Sequence, residues 1–176
     1  MGKSGQRIII IVVFLIAIVI VLGRIVTMDI NKPVRIGDYA PDFSIKDMSG
    51  DIYKLSQKRG KVIFINFWAT WCKPCLDEMP SIEEMFRMFK NDNIEVIGIS
   101  IDKHGKDVVK SFIERFDISF PILLDLTEEV GLEYGITGVP ETFIVDEKGI
   151  IVEKVIGPRD WMNENSLKMV KYFLKK

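Results

Sequence analysis

Cysteine and histidine are almost missing from this chain, whose 176 residues include two cysteines and one histidine. A structural disulfide framework needs more cysteines, spread along the sequence, so that class is excluded. A zinc site would need ligands beyond the two cysteines and His104, so no metal is expected, and His104 reads as a surface loop residue. Charge of one sign is lacking as well. Lys and Arg number 24 against 25 Asp and Glu, a net charge of −1, which gives no reason to expect nucleic acid or a strongly acidic partner. No internal repeat is visible, and no low-complexity stretch beyond one N-terminal apolar run. The two cysteines that are present lie three positions apart, in Trp71-Cys72-Lys73-Pro74-Cys75. A pair this close and this isolated reads as working chemistry, a redox-active dithiol with no further cofactor.

Residues 8–22 (IIIIVVFLIAIVIVL) are all apolar, and Gly23, Arg24, Ile25 and Val26 extend the run. With a helical rise of about 1.5 Å per residue, residues 8–28 would cross a hydrocarbon core of roughly 30 Å. Residues 1–28 are therefore expected to be an N-terminal transmembrane anchor, with Arg24 reaching back to the headgroups. The run has no polar face, which argues against a buried soluble helix. A cleaved signal peptide is the rival, since Lys3 and Arg7 make a fair positive leader, but Val26-Thr27-Met28-Asp29 is too bulky for a small-x-small cleavage site. No cysteine follows for lipoprotein processing. Lys3 and Arg7 favour a cytoplasmic N-terminus, while Arg24, Lys32 and Arg35 weaken that inference. The dithiol makes best sense facing an oxidising compartment, so a single-pass membrane protein with an extracytoplasmic catalytic domain is expected.

Residues 29–35 are short and polar, contain Pro33, and read as a linker to a domain at 36–176. Residues 40–45 and 52–55 alternate around Ser49-Gly50-Asp51, which predicts a β-hairpin. Residues 62–68 (VIFINFW) form an apolar run of strand length, as expected of a central strand covered on both faces. A helix beginning near Cys72 carries Leu76, Met79, Ile82, Met85, Phe86 and Phe89 at steps of three or four, with Pro80 bending it. Residues 94–101 predict a second strand and 107–116 a helix. Residues 121–124 read as a short strand or turn, and 128–134 as a short helix. Residues 142–145 and 150–155 flank Asp146-Glu147-Lys148-Gly149 as an antiparallel hairpin. A last helix holds Leu167, Val170, Phe173 and Leu174, with Asp160 as its expected N-cap. Strand and helix in alternation, closed by a hairpin and a helix, give an α/β fold with a mixed central sheet flanked by helices. Met79, Met85 and Met88 are expected to be packing, and Trp68 core.

The attacking species in thiol exchange is a thiolate, and a free thiol titrates near ~8.5. Cys72 falls where a strand ends and a helix begins, facing unpaired N–H groups and the positive end of the helix dipole, both of which favour the anion. Pro74 suits a first helical turn, because the donor it lacks would have no helical partner. Cys72 is thus the expected nucleophile and Cys75, one turn on, the resolving thiol. Trp71, beside the nucleophile, is expected to shield it at the substrate groove.

The run Phe67-Trp68-Ala69-Thr70-Trp71-Cys72-Lys73-Pro74-Cys75 resembles the active site of thioredoxin-like proteins. Three further segments narrow the resemblance to the TlpA/ResA/DsbE (CcmG) branch: Gly37-Asp38-Tyr39-Ala40-Pro41-Asp42-Phe43, Glu78-Met79-Pro80, and Gly138-Val139-Pro140-Glu141-Thr142-Phe143. The resemblance covers residues 36–157 and implies a thioredoxin-like fold with an N-terminal hairpin extension. It implies an anchored extracytoplasmic reductase, many of whose relatives keep the Cys-x-x-Cys-His haem site of apocytochrome c reduced. A membrane electron donor of the DsbD/CcdA kind is implied with it. Matching positions make Pro140 the cis-proline opposite the dithiol and Val139 a substrate contact. They make Glu78 the active-site glutamate that moves the proton, with burial raising its pKa toward neutrality; the alternative is a solvated helix-start residue. Where thioredoxin has a buried aspartate, six residues before the first cysteine, this chain has Asn66. An amide does not shuttle a proton that way, which moves the duty to Glu78, though Asn66 also fits as a satisfied core polar group.

Other classes compete. Residues 37–71 also resemble peroxiredoxin-like proteins, but neither cysteine has the Pro and Thr spacing that supports a peroxide. A disulfide oxidase or isomerase would use the same residues, and a non-catalytic apocytochrome-binding module would not need the thiols.

Overall fold

The protein is described by a computed structural model that covers residues 3–28 and 33–175, with side chains in the first segment at residues 7 and 10–21. The chain divides into two units, Met1–Pro33 and Val34–Lys176. Most of the expected linker, residues 29–32, lies outside the described residues, as do the side chains of Lys3 and Arg24.

The first unit is one helix, α1 (Lys3–Met28). Its described residues from Ile10 to Val21 are apolar and exposed all round. Those residues rise about 18 Å as a helix, and among the described residues no helix is long and apolar enough to cross a membrane.

The second unit is built on β3 (Val62–Trp68), every residue of which is buried. A strand buried on both faces must be covered by two layers, and the sheet is arranged to do this. β3 pairs in parallel with β4 (Ile94–Ser100), which pairs in parallel with β5 (Ile122–Leu124). On its other side β3 pairs antiparallel with β6 (Glu141–Val145), followed by β7 (Ile151–Ile156), giving the order β5-β4-β3-β6-β7. Alternation along β3 sorts the core. Val62, Phe64 and Trp68 pack with residues of α2 (Lys73–Phe89), α3 (Lys106–Phe116) and α5 (Glu164–Leu174). Ile63, Ile65 and Phe67 pack with α4 (Glu129–Tyr134) and the hairpin of β1 (Ser44–Lys46) and β2 (Ile52–Lys54). The two parallel crossovers, through α2 and α3, thus lie on one face, as right-handed connections to successive neighbouring strands require.

Both sheet edges are covered. The hairpin docks beside β5 through an Asp47–Leu123 bridge and a Met48 N–H to Ile122 carbonyl bond of 3.2 Å. At the other end Gly37 and Ala40 donate to the carbonyls of Ile151 and Gly149. Gly98, opposite Asn66 in the β3–β4 register, is where close approach excludes a side chain. A Cβ there would stand 2.7 Å from Ile122 Cδ1 and 3.0 Å from the Trp68 indole nitrogen.

Two local expectations are corrected. Asp160 does not cap α5; Asn163 does, accepting from Ser166 N at 2.9 Å, while Asp160 caps the preceding turn by accepting from Met162 N. Met88 is exposed, unlike the buried Met79 and Met85, because it falls on the outer face of α2.

Candidate functional site

The dithiol sits where the helix start was expected. Cys72 is the N-cap of α2, with Lys73 and Pro74 opening the first turn. Cys72 and Cys75 are joined as a disulfide, their Cα atoms 5.3 Å apart. Both are buried, Cys75 completely. The Cys75 N–H donates to Cys72 Sγ at 3.2 Å, one of the orphan amides of the helix terminus turned onto the sulfur that would carry negative charge when reduced.

Directly against Cys72 lies the loop before β6. The Val139-Pro140 peptide bond is cis, and the Val139 carbonyl oxygen is 3.4 Å from Cys72 Sγ. A disulfide sulfur has no proton to donate, so in the oxidised protein this is a contact rather than a hydrogen bond. Glu141 holds the loop from behind. Its buried carboxylate accepts from Thr137 N at 2.7 Å and Thr137 Oγ1 at 2.8 Å, and its second oxygen pairs with Lys154 Nζ at 3.2 Å. Trp71 is 65% exposed beside the dithiol, whereas Trp68 is fully buried. A small apolar pocket of about 190 Å³, walled by Ile101, Leu132, Ile136 and Gly138, opens beside the same loop.

Glu78 is one turn beyond Cys75 and only 3% exposed. Asn66 Nδ2 donates to its Oε1 at 2.8 Å, and the Arg159 N–H donates to its Oε2 at 3.1 Å. Burial raises its pKa from 4.5 to about 7, and those two hydrogen bonds oppose the rise without cancelling it. Asn66 also donates to Thr142 Oγ1 at 3.0 Å, leaving its own Oδ1 buried with no partner among the described residues. Asn66 is therefore not a fully satisfied core amide. It joins β3, β6 and the carboxyl of α2, and its spare oxygen can accept a proton-bearing partner if the amide turns over. An open cavity of about 510 Å³ is lined by Glu78, Ser81, Glu84, Pro158 and Arg159.

The fold thus gathers Trp71, Cys72, Cys75, Val139 and Pro140 at the C-terminal end of β3, with Glu78 one helical turn along α2. Missed in the sequence were Arg159, whose backbone N–H reaches Glu78 from 81 residues away, and Asp102, which accepts from Thr70. A backbone donor leaves no residue-type signal. Asp102 reads in one dimension as an ordinary loop carboxylate. His104 is exposed, and among the described residues no His, Cys, Asp and Glu group comes together to hold a metal.

The chain is similar to known proteins over most of its length. Residues 36–154 match the AhpC/TSA family. Thiol-disulfide oxidoreductase ResA of Geobacillus thermodenitrificans (strain NG80-2) is 34% identical over 158 residues, 88% of this chain and 90% of that protein. Thioredoxin-like protein YneN of Bacillus subtilis (strain 168) is 39% identical over 127 residues, 70% of this chain and 73% of that one. Among solved structures, a Chlorobium tepidum protein assigned as thiol:disulfide interchange protein DsbE superposes with a TM-score of 0.75 at 28% identity, covering 80% of this chain and 99% of that chain.

Proposed function

Because the chain belongs to the AhpC/TSA family and is a thioredoxin-like thiol–disulfide oxidoreductase of the ResA/DsbE type, we propose that it is a membrane-anchored, extracytoplasmic reductase of protein disulfides, with the Cys-x-x-Cys-His haem site of apocytochrome c as its client. The observation that carries the reading is one cluster: a dithiol at a helix start, the Val139 backbone against it, and a buried carboxyl with a pKa of about 7 one turn away.

In the reduced enzyme the Cys72 thiolate attacks a sulfur of the client disulfide. An S–S bond forms between enzyme and client, and the client's other sulfur leaves as a thiolate that takes up a proton. The Cys75 thiol gives its proton to the Glu78 carboxylate and attacks Cys72 Sγ. The Cys72–Cys75 disulfide forms and the client departs with both its cysteines reduced. Two electrons pass to the client, and a membrane donor of the DsbD/CcdA kind restores them. Glu78 suits the proton step because a group titrating near the working pH both accepts and releases protons readily. Trp71 and Val139 contact the client, whose extended chain pairs with the backbone ahead of Pro140.

Anchoring is supported by the apolar run at residues 8–22 and by the helix continuing to Met28. In this reading residues 1–28 are the anchor, residues 29–35 the linker and residues 36–176 the catalytic domain, which works near a membrane surface. The reductive direction is supported by the resemblance to the ResA branch.

The reduction potential tests direction. A value well below about −200 mV supports a reductase, and one near about −120 mV would mean a disulfide oxidase. Cys75→Ser should accumulate mixed disulfides on Cys72, and failure to trap any Cys-x-x-Cys-His protein would remove the apocytochrome client. Full function in Cys72→Ala would mean a binding module instead.

A further inference from the structure

Besides Glu78 and Glu141, another buried carboxylate stands beside the turn that carries the dithiol and takes no part in the exchange just described. Asp102 is 1% exposed and follows the end of β4. Its Oδ2 accepts from Thr70 N at 2.9 Å and from Ser100 Oγ at 2.8 Å, and its Oδ1 accepts from Thr70 Oγ1 at 2.6 Å. All three donors are neutral. Burying a carboxylate against neutral groups is costly, and a polar side chain without charge would satisfy the Thr70 N–H at less expense. What the carboxylate adds is a two-oxygen grip that holds the backbone and the side chain of one residue together, with charge-assisted bonds.

That residue is two positions before Cys72. The neighbouring bonds belong to the same clamp: Ile101 N donates to Trp68 O at 3.0 Å, and Cys72 N donates to Ala69 O at 3.2 Å. Trp71, between Thr70 and Cys72, is largely exposed and supplies little packing to hold the turn. The position of Cys72 Sγ against the Cys75 N–H and the Val139 carbonyl therefore depends on how firmly Thr70 is held.

We propose that Asp102 is a positioning residue for thiol exchange, gripping Thr70 so that the turn delivers Cys72 Sγ to the start of α2. This rests on the reading of Cys72 as the attacking thiol. Loosening the grip withdraws Cys72 from the helix-terminal amide, so the thiolate is stabilised less and forms at higher pH.

The test uses the full chain in detergent micelles, reduced, with the rate of iodoacetamide alkylation followed against pH and the modified cysteine identified by mass spectrometry. Thr70→Val keeps the charge of Asp102 and the shape of Thr70 but removes one bond, and it is the decisive variant. Its alkylation midpoint is expected to rise by about one pH unit, a tenfold loss of thiolate below the midpoint. Its equilibrium with glutathione, read above both midpoints, is expected to move about tenfold toward the disulfide, about 30 mV. Asp102→Ala moves both readouts the same way, and Thr70→Ser, which keeps the hydroxyl, restores them. If Thr70→Val stays within twofold of the wild type in both, Asp102 has only a structural role and the proposal is overturned. The same follows if Asp102→Ala lowers the midpoint while Thr70→Val leaves it unmoved, since the carboxylate then acts by charge alone. Alkylation of Cys75 in place of Cys72 in the wild type would overturn the reading of the thiols and the proposal together. Should Asp102→Ala fail to fold, the two Thr70 variants decide.

Discussion

Replacing Glu78 by Gln removes a titrating group while keeping its shape, and the structure sets the size of the effect. The carboxyl ionises at about 7 in the folded protein against an ordinary 4.5, chiefly because burial disfavours its charge. The folded state therefore holds its proton over a pH range in which the unfolded chain has lost it, and stability falls as pH rises through that window. The contribution is fully present below about pH 4.5, declines up to about pH 7 and is gone above. At about 1.36 kcal/mol per pH unit, a window of roughly 2.5 units amounts to ~3 kcal/mol. Gln at 78 is accommodated: its oxygen takes the Arg159 N–H, and its amide N–H group reaches Asn66 Oδ1 once the Asn66 amide turns over. The assay is urea unfolding of the oxidised full-length protein in mild detergent at pH 5, 6, 7 and 8. The gap between variant and wild type should widen in favour of Glu78→Gln by about 2.5 kcal/mol between pH 5 and 8, the rest of the change falling below pH 5. Asp125, whose pKa burial also raises, cancels because both proteins carry it. Parallel pH profiles for the two proteins would refute the burial of an ionising carboxyl at this site.

Other consequences can be measured alongside. Gly98→Ala should destabilise by about 1–3 kcal/mol in urea unfolding, because the new methyl group drives into Ile122 and the Trp68 indole. Glu141→Ala removes the carboxylate paired with Lys154 and the acceptor of two Thr137 donors, and about 2–4 kcal/mol should be lost; thiol exchange should slow beyond what the unfolded fraction explains, since Thr137 leads into the loop against Cys72. Glu83→Ala releases Ser119 N and Ser119 Oγ from the only carboxylate they donate to among the described residues, and should cost about 1–3 kcal/mol with the potential unchanged. An unaltered urea midpoint for any of the three would contradict the packing described here.

Much of the sheet was legible because hydrophobic period and burial have the same cause. Residues 62–68 read as a doubly covered strand, and β3 is buried at every position. The hairpin into β7 was visible from Asp146-Glu147-Lys148-Gly149, whose turn chemistry is local. The N-cap of α5 was misplaced because Asp160 and Asn163 are both good caps, and only the chain's path after β7 chooses between them. Asn66 resisted a complete reading for a related reason. Its place on β3 was evident, but that its amide lies between Glu78 and Thr142 follows from three elements meeting.

By itself the sequence determined that two lone cysteines at helix-start spacing do the chemistry, that the domain alternates strand and helix, and that one apolar run precedes it. These are local properties, carried by residue type and short-range period. Tertiary structure alone decided what surrounds the dithiol. It brought Val139 to 3.4 Å from Cys72, closed the Arg159 N–H onto Glu78, and set Asp102 behind Thr70. The partners are 67, 81 and 32 residues apart in the chain, so their meeting is decided by strand order and register, and the burial that moves Glu78 to near-neutral titration exists only once those layers have closed.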